Sequence, residues 1–225
     1  ADLLGLRPGE RFRHPFGLRN DKRDGVRNDK EDGVRKGENL FLFRAPDGLH
    51  TGEILSRPED GLWTVRIKMI DVYGVTPMLG GYFLNTGTRH FVKFVDDVEQ
   101  VDVDAEGKAL RWDPAFAPVG TNVNFVHVAP DGLHVRTFEK GVEGETLACG
   151  TGLTASAIAA FVRGSLVGPC PPRNGKAPGE VKASYRLRAR QDWLSVDFMP
   201  EAGDTFTDVY LTGPARWMSI SPARP

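Results

Sequence analysis

The sequence predicts an α+β fold in which many short strands curl around one helix of small residues. Two observations carry this. Runs of alternating apolar and polar residues, separated by Gly- and Pro-containing turns, recur from Leu40 to the C-terminal GPA segment at Gly213–Ala215. Against them stands one convincing helix, Leu153 to Arg163, ending before Gly164 with a basic residue in its last turn. Its alanines let it lie close against a sheet.

The strands read in order as follows. LFLF, the turn Pro46-Asp47-Gly48 and HTGEIL form a hairpin. LWTVRIKMIDV (Leu62 to Val72) alternates as a strand should, with Trp63, Val65, Ile67 and Met69 on one face and Arg66 and Lys68 on the other. HFVKFV (His90 to Val95) and NVNFVHV (Asn122 to Val128) are further strands. Pro130-Asp131-Gly132 makes a turn into LHVRTFE, and VKASYRLRAR, WLSVDFM and TDVYLTGPA complete the set. Before Asn39 the texture differs. RNDKRDGV (Arg19 to Val26) is followed at once by RNDKEDGV (Arg27 to Val34), a tandem octad with almost nothing apolar to bury, read as a solvated segment. Asn20, Asp24, Gly25 and Glu31 fall at positions one, five, six and twelve of a calcium loop. Lys22, however, puts an ammonium at the third position, where a ligand oxygen belongs, and no amphipathic helices flank the segment.

Length and composition set bounds. A chain of 225 residues, 40% hydrophobic and 26% charged, suffices for one large domain or two small lobes. Its formal charge of −1 gives no general attraction to nucleic acid or anionic membrane. No apolar run approaches the ~20 residues of a membrane-spanning helix, and ADLLGLRPGERFRH lacks the apolar core of a secretory signal. The two cysteines, Cys149 and Cys170, are too few for a disulfide framework and show no metal-binding spacing. A reducing cytoplasm is the expected compartment for a reactive thiol.

The most chemically informative stretch is ETLACGTGLTASAIAAF, Glu145 to Phe161. Cys149 sits between a polar strand end and the helix, with Gly150 and Gly152 directly behind it, and the helix starts near Thr151. Glycines at such a joint permit a tight turn and leave N–H groups uncovered. The positive helix end then favours the anionic form of the thiol, and the same donors can hold a carboxylate. Taken alone, the motif is equally a small buried hydrophobe at an ordinary strand–helix turn.

ETLACGTG, preceded by VRTFEKGVEG and by GTNVNFV, resembles the C-terminal half of the diaminopimelate epimerases, the cofactor-independent amino-acid racemases of lysine and cell-wall synthesis. The likeness runs from about Leu40 to Gly213–Ala215. It implies two lobes, each a curled, mainly antiparallel sheet around a central helix, with the N-terminal lobe incomplete here. The corresponding division is residues 1–38 as the polar repeat segment, 39–75 as a remnant of the N-terminal lobe, 76–212 as the catalytic lobe and 213–225 returning to the N-terminal lobe.

The resemblance also implies an activity: interconversion of LL- and meso-diaminopimelate without pyridoxal phosphate or any other cofactor, and without metal. Inversion needs two acid–base groups on opposite faces of the α-carbon. Cys149 is the candidate for one of them. Gly150 and Thr151 match the positions that bind the α-carboxylate, where developing charge needs fixed donors. Glu139-Lys140 stands where the family has Glu-Arg, so a point charge replaces a bidentate fork; by charge pattern alone the pair reads as a surface ion pair. Asn122 matches an asparagine that binds the distal end of the substrate, and Asn124 points the same way on an alternating strand. His90, in NTGTRHFV, matches a Pro-His motif, with Arg89 in place of the proline and Thr88 where many members carry a substrate-binding Asn. His90 and Glu139 are the groups placed to tune the pKa of the thiol. The implied partners are a small amino-acid substrate and a second copy of the chain in a homodimer, with neither nucleic acid nor membrane.

The largest departure is an absence. The family's Cys-Gly-Asn-Gly motif, which supplies the second catalytic thiol, does not occur, and Cys170 in GPCPPRNG does not match its position. A degenerate homologue that binds amino acids or pairs with a full-length subunit is therefore a second reading. A thiol hydrolase using Cys149 with His134 or His90 is a third.

Overall fold

The computed structural model describes residues 39–45, 48–59, 61–164 and 181–216. The tandem octad with its calcium-loop pattern, the Pro46-Asp47 turn and Cys170 lie outside the described residues. The fold divides into two compact units, one comprising the residues up to Lys68 with those from Thr212 onward, the other running from Met69 to Leu211.

The first unit is an antiparallel meander of β1 (Leu40–Ala45), β2 (Gly48–Ser56) and β3 (Leu62–Lys68). The two-residue connection between β1 and β2 pairs Ala45 with Gly48 and Leu40 with Glu53. In β3 the alternation read from the sequence holds for Val65 and Ile67, which are buried together with Ile54 and Phe41. The strand ends at Lys68.

The second unit carries β4 (Val72–Tyr73), β5 (Thr76–Met78), β6 (Gly81–Asn85), β7 (Arg89–Phe94), α1 (Val103–Arg111), β8 (Asn122–Ala129), β9 (Gly132–Glu139), β10 (Gly144–Thr146), α2 (Gly150–Arg163), β11 (Ala183–Arg188), β12 (Trp193–Pro200) and β13 (Thr205–Arg216) as far as Leu211. Strands neighbour one another in the order β5, β6, β7, β8, β9, β11, β12, β13, with β10 beside β9 and β4 beside β13. Most of these pairs are antiparallel, but β7 runs parallel to β8 and β9 to β11. The first parallel pair puts His90 opposite Asn122 and Val92 opposite Asn124. It requires a crossover, and α1 lies on it.

α2 packs against β6, β7, β8, β9, β11 and β12, so the sheet curls around it. This is an α+β lobe, a curled sheet around a central helix, as expected from the sequence. The helix is buried on every side from Gly152 to Phe161. A helix in that position must be apolar or internally satisfied all round, and the sequence meets this with alanines and two hydroxyls that bond back one turn: Thr154 Oγ1 to the Gly150 carbonyl at 3.0 Å and Ser156 Oγ to the Gly152 carbonyl at 2.7 Å. Gly164 stops the helix in a left-handed conformation at φ 81°. At that end Phe161, Phe198 and Phe206 meet edge to face with centroids 5.4–6.1 Å apart.

The opposite face of the sheet carries a second core of Phe91, Val98, Val103, Phe116, Val123, Phe125 and Phe138. Only one convincing helix reads from the sequence; the structure has α1 as well. Its signals are local: the Asp102 side chain accepts from the Ala105 N–H, acids fill the first turn and bases the last. Its length of nine residues and the glycine at its centre hide it from a periodicity reading. That glycine has a steric cause. A Cβ at Gly107 would lie 2.5 Å from the Phe138 Cβ, so the bare backbone lets α1 rest directly on β9.

Helix propensity alone predicts that Gly107→Ala stabilises by about 1 kcal/mol. The contact with Phe138 reverses the sign. Urea unfolding of Gly107→Ala should show a loss of about 1–3 kcal/mol, the usual range for overpacking a core.

Candidate active site

The start of α2 is pressed against the sheet, and the site follows from that. Cys149 is the N-cap residue, in an extended conformation at φ −123°, ψ 107°. The first N–H groups of a helix have no partner within it; here they include those of Gly150 and Thr151. Gly152 allows the approach. A Cβ there would lie 2.3 Å from Asn124 Oδ1. Any side chain at 152 would push the helix start away from β8.

The segment leading to the cysteine is pinned from the sheet. Arg136 on β9 grips Glu145 through two bonds of 2.7 Å and spends Nη1 on the Val98 and Val101 carbonyls at 2.8 and 3.0 Å. This is a bidentate, partly buried pair rather than an exposed one. The turn after β9 is held in turn by Arg111 of α1, a buried guanidinium that bonds Glu143 Oε1 and the Val119 carbonyl, while Glu143 accepts from the Gly141 N–H at 3.0 Å. Glu139 and Lys140 sit at the base of that turn.

Cys149 is 7% exposed. Its sulfur lies 3.5 Å from Thr151 Oγ1. The expectation that the helix start would favour the anionic form of the thiol is not met. Burial first, and then the negative charge of Glu139, push the thiol up to about 12, whereas the Thr151 hydroxyl and the Gly152 N–H pull it down. The helix-start donors are present, but desolvation of a buried anion outweighs them. Glu139 itself accepts from Thr146 Oγ1 at 2.5 Å.

His90 is wholly buried on β7. Burial pulls it down to about 3, and the charge of Lys140 adds to the shift, so the imidazole is neutral. Its Nε2 stands 3.0 Å from Thr151 Oγ1, and its Nδ1 stands 3.0 Å from Asn124 Nδ2. His90 therefore reaches Cys149 only through the Thr151 hydroxyl. The direct cysteine–histidine dyad of a hydrolase is not assembled here. His134 bonds Asp131 at 2.9 Å at the start of β9. It lies about 17 Å of strand away from Glu139.

Asn122 is buried, and its amide ties three pieces together. Nδ2 donates to Thr88 Oγ1 at 2.6 Å and to the Arg89 carbonyl at 2.9 Å, and Oδ1 accepts from the Lys140 N–H at 2.8 Å. Thr88 itself is exposed. The structure thus brings Thr88, Asn122 and Lys140 into one cluster. Thr151 joins His90 to Cys149 in another, with Glu139 beside the sulfur. Two participants escaped the sequence reading. Thr86, buried, donates to the Thr151 carbonyl at 2.9 Å, and Thr137 donates to Asn124 Oδ1 at 3.0 Å. Thr137 shares the inward face of β9, a periodicity signal that could have pointed to it.

Residues 82–190 match the family model described as diaminopimelate epimerase. Over these residues the chain is similar to the diaminopimelate epimerases. Among curated relatives, the diaminopimelate epimerase of Aquifex aeolicus is 46% identical over 134 residues, 59% of this chain and 42% of that protein. The diaminopimelate epimerase of Flavobacterium psychrophilum is 34% identical over 183 residues, 80% of this chain and 63% of that protein. That of Hydrogenobaculum is 53% identical over 87 residues. The chain thus spans less than two thirds of the length of these epimerases. No helix among the described residues is long and apolar enough to cross a membrane.

A neutral, buried His90 has a measurable consequence. Its folded pKa lies below the unfolded value of 6.5, so its contribution to stability is present above pH 6.5 and is lost as pH falls from 6.5 toward 3. His90→Gln should flatten the fall of the urea midpoint over that window, by up to about 1.4 kcal/mol for each pH unit of differential protonation removed. An unaltered pH profile in the variant would show that other groups set the acid limb.

Proposed function

We propose that this chain acts as an amino-acid epimerase of the diaminopimelate type, independent of pyridoxal phosphate, with Cys149 as the acid–base group on one face of the α-carbon. The observation that carries the reading is the thiol at the start of α2, backed by the free-ended N–H groups of Gly150 and Thr151 and faced by Glu139. In this proposal the N–H groups hold the substrate α-carboxylate and stabilise the charge that builds on it as a base on the opposite face of the α-carbon takes the α-proton, a place that the family resemblance gives to the thiol of the Cys-Gly-Asn-Gly motif. Cys149 rests as the protonated partner, which the raised pKa favours, and gives its proton to the planar carbanion. The thiolate left behind is met by the Thr151 hydroxyl and the Gly152 N–H. Glu139 and Lys140 serve the zwitterionic groups of the substrate and the return of the proton; Thr88 and Asn122 serve its distal end. Such a reaction belongs to lysine and peptidoglycan precursor synthesis, in a reducing cytoplasm and in a homodimer, as the family resemblance implies.

One observation favours a second reading. The sequence contains Cys149 and Cys170 and no Cys-Gly-Asn-Gly motif. A single thiol serves one face, and a chain with only that group binds amino acids or pairs with a full-length subunit.

Incubation with the LL or meso isomer in deuterated water, followed by NMR, separates the two. Deuterium entering the α-carbon with inversion is expected for the epimerase; exchange without inversion marks a one-sided enzyme, and binding without exchange favours the second reading. Cys149→Ser should lower the exchange rate 10²–10⁴-fold, roughly the span of one acid–base group, with the circular dichroism spectrum unchanged. Lys140→Arg, which supplies the planar fork, should lower the dissociation constant for diaminopimelate in calorimetry; an unchanged constant would remove this pair from the substrate site.

A further inference from the structure

A chain of hydrogen bonds, buried among the strands and part-buried at Thr151, crosses three strands and ends at the sulfur. Thr137 of β9, Asn124 of β8 and His90 of β7 stand side by side on the face that meets α2, and Thr151 closes the row beside Cys149. Its direction is fixed by chemistry. Asn124 Nδ2 lies 3.3 Å from the Phe91 carbonyl as well as 3.0 Å from His90 Nδ1. A carbonyl accepts only, so the amide nitrogen faces it. The Thr137 hydroxyl then donates to Asn124 Oδ1, and the amide donates to Nδ1. A neutral imidazole that accepts at Nδ1 carries its proton on Nε2. Nε2–H donates to Thr151 Oγ1, which leaves the one hydroxyl proton of Thr151 free to point at Sγ.

We propose that Asn124 is a positioning residue: it holds His90 as the Nε2–H tautomer and thereby turns the Thr151 hydroxyl into a donor toward Cys149. Its consequence for catalysis rests on the epimerase reading, but the tautomer and the hydroxyl orientation do not. The fully buried amide has its four bonding directions largely spent in this row. A bond to the sulfur from a hydroxyl favours thiolate over thiol, so Asn124 acts on the acid strength of Cys149 from two residues away. The titratable groups facing this corner from the neighbouring elements are Glu139 and Lys140 at the end of β9, whose charges bear on Cys149 and His90 respectively.

The decisive measurement is a long-range proton–nitrogen NMR correlation of the imidazole in the unmodified, ¹⁵N-labelled chain, assigned with His90→Gln. The expected pattern has Nε2 protonated and Nδ1 as acceptor; an Nδ1–H pattern overturns the proposal. In Asn124→Asp the carboxylate accepts in place of the amide donor, and the pattern should invert; an uninverted pattern in a folded variant overturns it too. If that variant does not fold, the wild-type spectrum alone decides. The second arm reads the sulfur. Iodoacetamide labelling of Cys149, resolved from Cys170 by peptide mass spectrometry, should be about tenfold slower at pH 9 in Thr151→Val, as expected for the loss of one hydrogen bond to a charged group. Thr151→Ser should restore the rate. Equal rates in wild type and Thr151→Val overturn the link to the sulfur. Expected results here, with no α-proton exchange from any isomer of diaminopimelate, would defeat the proposed reaction and leave this inference standing.

Discussion

The bare backbone at residue 152 is the constraint on which this lobe depends. α2 enters the curl of the sheet with its first turn against Asn124, at a distance that no β-carbon tolerates. With the helix that close, Thr151 spans the gap between a strand histidine and the capping cysteine, and Thr86 reaches the Thr151 carbonyl from the loop before β7. A helix displaced by the width of a methyl group would lose each of these bonds. The hydrophobic core therefore sets where α2 lies along the sheet, whereas the glycine sets how deep its N-terminus sinks.

The electrostatics of the sulfur are a contest between two kinds of environment. Helix-start donors act on any anion at that place. Removal from water acts against every anion. At Cys149 the second prevails, helped by a carboxylate neighbour, and the group rests as a thiol. The same burial works on His90 with the opposite sign of charge and gives the same kind of result, a neutral side chain. Both titratable members of the row are thus uncharged at rest, which is the condition under which a hydrogen-bonded row of this kind keeps one fixed direction.

Much of the architecture was legible in the sequence, because its signals are local. Alternation identified the strands that become β3, β7, β8, β9, β11 and β12, and the Ala-rich run with its terminal Gly164 identified α2, whose first residue is Gly150, one before the start read near Thr151. The helix α1 was not read because its nine residues and central glycine give too little periodicity, and the contact that explains the glycine, with Phe138, lies far along the chain. The short strands β4, β5 and β10 carry too few residues for any pattern. Within the site, Cys149 and its two glycines announced themselves. The state of the thiol did not, because burial and the approach of Glu139 are properties of the folded lobe. Asn124 and Thr137 look like ordinary polar residues on strands until β7, β8 and β9 are laid side by side in register.

Arg111 lies on the far side of the sheet from the sulfur, yet its guanidinium is the anchor of the loop that follows β9, through Glu143 and the Val119 carbonyl. The outer layer is consequently a lever rather than a cover. Substitutions in α1 that slide it along β9 would shift the platform beneath Glu139 and Lys140, so a change in the surroundings of Cys149 can originate on the opposite face of the sheet.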